Sequence, residues 1–126
     1  MTKSEIILQA FGFLTSDYGF DAVRVNESPL TAYVVFKRGD VEVTVDFDGR
    51  MSDVVCELHL GAHRYFAAFD EILTHVGGER FDAVPATSET AIQHQLQLLA
   101  DKTKRYAAPA LKGDVKFYER IGALRK

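Results

Sequence analysis

Thr31-Ala32-Tyr33-Val34-Val35-Phe36-Lys37-Arg38-Gly39-Asp40-Val41-Glu42-Val43-Thr44-Val45-Asp46-Phe47-Asp48 is the stretch that decides the fold. Two runs rich in β-branched and aromatic residues flank Gly39-Asp40, which has the composition of a two-residue hairpin loop. That loop sets Arg38 opposite Val41, then Lys37–Glu42, Phe36–Val43, Val35–Thr44, Val34–Val45, Tyr33–Asp46 and Ala32–Phe47. Side chains alternate along a strand, so Ala32, Val34, Phe36, Val43, Val45 and Phe47 gather on one face. Tyr33, Lys37, Glu42, Thr44 and Asp46 gather on the other. The pattern predicts a half-buried antiparallel sheet with a charged outer face.

A second turn falls near Asp48-Gly49-Arg50. Whether the loop is Asp48-Gly49, Gly49-Arg50 or Gly49 through Ser52, the parity is the same. Val54, Cys56, Leu58 and Leu60 join the core face, and Asp53, Val55, Glu57 and His59 join the outer one. A one-residue slip would bury Asp53 and Glu57, costing several kcal/mol per unpaired charge.

Upstream, Thr2-Lys3-Ser4-Glu5 fits a capping box, and Ile7, Phe11, Leu14 and Tyr18 follow at helical spacing. Gly19 supplies a left-handed stop, with Phe20 folding back on the last turn. Asp21 to Asn26 then reads as a strand with Val23 and Val25 on one side, and Pro29 belongs to a connection. Downstream of Gly61, Phe66, Phe69, Leu73 and Val76 predict a helix from His63 to Val76, stopped by Gly77-Gly78. Glu79 to Ala86 reads as a loop with a short extended piece from Arg80 to Val84. Thr87 or Ser88 caps a long helix with Ile92, Leu96, Leu99, Thr103 and Tyr106 inward and Gln93, Gln95 and Gln97 outward. Pro109 breaks or ends it, and Asp114 starts a short helix bearing Phe117, Tyr118 and Ile121 and closed by Gly122. The order is an N-terminal helix, a four-stranded antiparallel meander, then two to three C-terminal helices packed on one sheet face. The expectation is a single α+β domain over residues 1–126.

Composition narrows the function classes. The chain has 126 residues, 47% hydrophobic and 26% charged, as in an ordinary globular protein. No apolar run approaches the roughly 20 residues of a membrane span, and no signal pattern opens the chain. A cytoplasmic location with no membrane partner is the expectation. Residues 1–100 hold 7 Lys/Arg against 15 Asp/Glu, and residues 101–126 hold 8 against 3, within a net charge of −3. The basic residues of the second part, including Lys102, Lys104, Arg105, Lys112 and Lys116, are interleaved with core apolar positions. They read as the solvated faces of packed helices, so no nucleic acid is expected as a partner.

Catalytic signatures are weak. Asp46 and Asp48 lie on one side of a strand, about 7 Å apart, close enough to share a cation. With His59 they would make a small metal-dependent hydrolase, the competing class of function. The further ligands of a calcium loop are missing, and Asp48 has a turn role beside Gly49. His59 and His63 stand four apart, but Gly61 between them breaks a shared helix. Cys56 occupies a core-facing position and reads as a buried hydrophobe. Serines 4, 16, 28, 52 and 88 sit where caps and turns are expected, and neither GxSxG nor a P-loop is present. Arg38-Gly39-Asp40 spells an adhesion tripeptide but reads as the hairpin turn. The expectation is a non-enzyme with no cofactor and no metal.

What remains is the outer face: Tyr33, Glu42, Thr44, Asp46, Asp53, Glu57 and His59. Carboxylates around a central aromatic supply both long-range steering and a desolvated anchor for a basic protein partner. The short length, the α+β order and the acidic first hundred residues are similar to those of immunity proteins of bacterial toxin systems. Leu98-Leu99-Ala100-Asp101 through Tyr106, then Leu111-Lys112-Gly113-Asp114 and Phe117, resemble small uncharacterised bacterial α+β proteins. The resemblance implies an acidic inhibitor that neutralises a basic toxin domain. A secretion chaperone or adaptor is the alternative among binding proteins.

Overall fold

The computed structural model describes residues 1–49, 53–77 and 88–124. Its spine is a five-stranded antiparallel sheet in sequence order, built from β1 (Asp21–Glu27), β2 (Thr31–Arg38), β3 (Val41–Asp48), β4 (Asp53–Leu60) and β5 (Tyr65–Ala68). The β2–β3 register is the one the Gly39-Asp40 loop dictates, from Arg38–Val41 to Ala32–Phe47, and it continues to Thr31–Asp48. Gly39 supplies the turn with a positive φ of 59°. The β3–β4 ladder runs from Asp48–Asp53 to Val41–Leu60, so Gly49 through Ser52 separate the strands and the expected parity holds.

Before the sheet come α1 (Lys3–Ala10) and α2 (Phe13–Tyr18). The capping box forms: the Thr2 hydroxyl accepts from the Glu5 N–H, and the Glu5 carboxylate accepts from the Thr2 N–H at 2.9 Å. Gly19, at φ 76°, ends α2, and the Phe20 N–H returns to the Leu14 carbonyl at 2.9 Å, burying the Phe20 ring. After the sheet come α3 (Phe69–Val76), α4 (Glu89–Tyr106), α5 (Ala108–Leu111) and α6 (Val115–Leu124). Ser88 caps α4 and Asp114 caps α6 through its side-chain oxygen. Pro109 falls in the first turn of α5, where its missing N–H costs nothing.

One apolar core joins Ile7, Phe11 and Leu14 to the inward strand residues Val34, Phe36, Val43, Val45, Phe47, Cys56 and Leu58. Leu96, Leu99, Leu111, Phe117, Tyr118 and Ile121 close it from the helical side. The described helices that pack on the sheet therefore lie on one face. Arg38, at the end of β2, ties this layer together. Its two terminal nitrogens donate to the carbonyls of Tyr18 at 2.7 Å and Leu111 at 2.8 Å, and its guanidinium lies 4.9 Å from the centre of the Phe20 ring. The adhesion-like tripeptide thus has a structural first residue, fastening the ends of α2 and α5 to the hairpin.

Five details differ from the sequence reading. The sheet has five strands, because Tyr65–Ala68 pairs with β4 instead of opening a helix. The helix expected from His63 begins only at Phe69, leaving Phe66 and Val76 exposed while Phe69 and Leu73 are buried. A tight reversal over Gly61–His63, with Arg64 in the left-handed region at φ 55°, creates the extra strand. In β1 the register shifts between Ala22 and Arg24, so Val23 is the extra residue of a bulge and the regular alternation linking it to Val25 is interrupted. Gln95 is buried, not outward, because it stands three residues from Ile92 on the inward side of α4. Gly122 lies inside α6 and does not close it. The Glu79–Ala86 loop, its extended piece at Arg80–Val84, Gly78 and Thr87 fall outside the described residues.

Candidate functional site: the open sheet face

Register places the outward residues in rows across the sheet. Asn26, Tyr33, Asp46 and Val55 form one row, and Arg24, Val35, Thr44, Glu57 and Ala68 form the next. Lys37, Glu42, His59 and Phe66 form a third. Asp48 pairs with Asp53 beyond the first row, the Asp53 assignment resting on its backbone. All seven sequence-picked residues, Tyr33, Glu42, Thr44, Asp46, Asp53, Glu57 and His59, thus belong to one face.

The chemistry of that face is more mixed than an acidic patch. The Lys37 ammonium stands 3.8 Å from the Glu42 carboxylate, with both side chains well exposed. His59 Nε2 lies 3.6 Å from a Glu57 oxygen, and its ring stacks on Phe66 with centroids 6.1 Å apart. Exposed pairs of this kind contribute about 0–1 kcal/mol each, so they orient side chains more than they hold the fold. Acidic Asp46 and Asp48 lie toward one end of the rows; the Lys37–Glu42 pair and the His59–Phe66 stack occupy the other. Between them Val35 is nearly buried at 7% exposure, whereas Val55 at 38% and Phe66 at 43% reach solvent. Phe66 is the residue that sequence reasoning missed. Its signal was the Tyr65-Phe66-Ala67 run directly after a glycine-led turn, a β-favouring composition too short to outweigh the helical spacing of Phe66, Phe69 and Leu73.

The competing constellations do not assemble. Asp46 and His59 lie two rows apart, roughly 13 Å along the strands, and Asp48 is farther still. Among the described residues no three His, Cys, Asp or Glu side chains converge on a metal-sized site. His63 stacks on Tyr65 at 5.8 Å, and Tyr65 pairs with Leu60 on the opposite side of the sheet from Phe66, so His59 and His63 diverge. Cys56 is buried beneath α4. Burial pushes its thiol up to about 12, opposed by a hydrogen bond with Thr103. A thiol so placed is not a nucleophile at neutral pH.

Lys102, Lys104, Arg105, Lys112 and Lys116 lie on α4 and α6 or the turn before α6, away from this face. Lys104 pairs with Asp17 at 3.2 Å, Arg105 lies 5.2 Å over the Tyr106 ring, and Lys112 and Lys116 are exposed. No described helix is long and apolar enough to cross a membrane. No protein-family model matches the chain, and no curated protein or solved structure matches it. The fold and face together define an α+β domain whose antiparallel sheet is covered on one side and displays a mixed polar and aromatic surface on the other.

Proposed function

We propose that this chain is a non-enzymatic protein-binding domain, an immunity-type inhibitor that neutralises a basic bacterial toxin by seating it on the open sheet face. The observation carrying this reading is the face itself: rows of exposed and half-buried side chains with Glu42, Asp46, Asp48 and Glu57 set around Tyr33, Val55 and Phe66. Carboxylates raise the encounter rate with a cationic surface, and aromatic and aliphatic groups supply the area whose desolvation holds a complex. Placement on a sheet also fixes the spacing of these groups, which lowers the entropy lost on docking.

The test is a calorimetric titration against a basic toxin domain co-encoded with this chain, with wild type and a Glu42→Lys/Asp46→Lys variant. Both positions are solvent-facing, so the variant should keep its circular dichroism spectrum while binding weakens at least about tenfold. A folded variant that binds as tightly as wild type rules out this face.

A further inference from the structure

The two edges of the sheet are not alike. β5 is four residues long, pairs with β4 and has α6 packed against it. β1 is seven residues long, and every residue from Asp21 to Glu27 is exposed. Among the described residues no strand lies beyond it. Antiparallel strands present half their N–H and C=O groups to each side, so β1 offers a row of hydrogen-bonding groups to any extended chain that approaches. It also carries apolar surface: Val23 is 58% and Val25 46% exposed. The strand is held from behind by α1, where the Ser4 N–H donates to the Glu27 carboxylate at 2.7 Å and keeps that carboxyl below its ordinary range.

We propose that β1 is a self-association edge, pairing antiparallel with β1 of a second copy about a two-fold axis through Val25. The charges along the strand favour a second copy in this register over registers centred on Arg24 or Val23. Centring on Arg24 would set Arg24 against Arg24 and Asp21 against Glu27, stacking like charges at three positions. Centring on Val23 would put the bulge on the axis and break the ladder where it must be regular. Centring on Val25 sets Val25 against its own copy and Arg24 against Asn26 twice over, with Val23 opposite Glu27. No like charges meet, an apolar pair sits at the centre, and the guanidinium faces an amide oxygen that can accept from it. A heterologous peptide would need none of this self-complementarity.

The axis is perpendicular to the sheet, so paired residues keep their faces. Val25 lies opposite Val34 on the helix-covered side, whereas Arg24 and Asn26 project from the open side. Two five-stranded sheets would join into one, with both open faces on the same side. The inference does not depend on what those faces bind.

Sedimentation velocity on the full chain across roughly 1 µM to 1 mM should show a reversible monomer–dimer equilibrium. Val25→Lys should abolish the dimer by placing two ammonium groups opposite each other, at a position exposed enough to leave the fold intact. Asn26→Glu should tighten it about 5- to 10-fold by giving each Arg24 a carboxylate partner, and Asn26→Arg should weaken it comparably. Register is read by cross-linking. Paired Cα atoms lie about 5 Å apart, within disulfide reach, so Val25→Cys should oxidise to a covalent dimer. Leu30→Cys is equally exposed but lies in the turn beyond Glu27, on the order of 20 Å or more from its copy in this register, and should not. Buried Cys56 does not compete. A monomer throughout, a dimer unchanged by Val25→Lys, or equal cross-linking at the two positions would overturn the proposal.

Discussion

Arg38 offers the sharpest test of how the sheet and its helical layer are joined. Its fork spans two helix ends, donating at 2.7 Å to Tyr18 and at 2.8 Å to Leu111. Both carbonyls sit at helix C-termini, where the partial negative charge favours a cation. A hydrogen bond from a charged donor is worth about 1.5–3 kcal/mol when shielded. Arg38 is half-buried, so water can recover part of what its removal leaves unpaired. Adding the cation–π contact with Phe20, about 0.5–1 kcal/mol at a partly exposed site, Arg38→Ala should cost about 2–4 kcal/mol. Arg38→Lys keeps the charge but has a single nitrogen and no planar fork, so it should lose roughly half as much. Lys37→Ala, one residue earlier and on the opposite face, should change stability by less than about 0.5 kcal/mol, since its pair with Glu42 is exposed. Urea unfolding followed by circular dichroism measures all three with a common slope. If Arg38→Ala fell within 0.5 kcal/mol of wild type, roughly the limit for a surface change, or Arg38→Lys proved silent, the two-ended clamp would be an incorrect account.

Two further outcomes follow from buried positions. Because the Cys56 thiol is raised to about 12 in the fold, it stays protonated after the unfolded thiol has ionised. Its contribution is intact below about pH 8.5 and is lost as pH climbs toward the folded value, by about 1.4 kcal/mol per pH unit. Unfolding free energies at rising alkaline pH should show that slope in wild type, and Cys56→Ala should lack its share of it. At Gly113, φ is +76° and an added Cβ would lie 3.2 Å from Val41 Cγ2. Gly113→Ala should therefore cost about 1–2 kcal/mol for the backbone and a further 1–3 for overpacking. Gly77→Ala, with φ +69° and no atom within 4 Å, should show only the first part in the same melts.

The hairpin was legible because alternation and a two-residue turn over-determine it: moving Val43 to the outer face would also move Glu42 and Thr44 inward. The same logic put Tyr33, Glu42, Thr44, Asp46, Glu57 and His59 on a common face without any knowledge of the second loop. Where local patterns compete, the reading failed. Phe66, Phe69 and Leu73 satisfy helical spacing, yet pairing with His59 and Leu58 decides Phe66 and Ala67, a long-range contact that spacing cannot express. Val23 and Val25 look like neighbours on one face until the bulge between Ala22 and Arg24 offsets them. Gln95 is a surface amide by chemistry but lies on the buried side by position. Arg24 escaped notice for a related reason: it joins the open face only once β1 has found its register against β2.

The strand order of the sheet bears on how the chain reaches its fold. Because β1 to β5 pair strictly with their neighbours in sequence, each ladder closes a short loop, and little chain entropy is spent on distant encounters. The meander is complete by Ala68, before any of α4 has been synthesised. During translation the face bearing Val43, Val45, Cys56 and Leu58 must wait for Leu96 and Leu99 to arrive. Until then a paired sheet covered only in part, by α1 to α3, is the species that a chaperone, or another nascent chain, would meet.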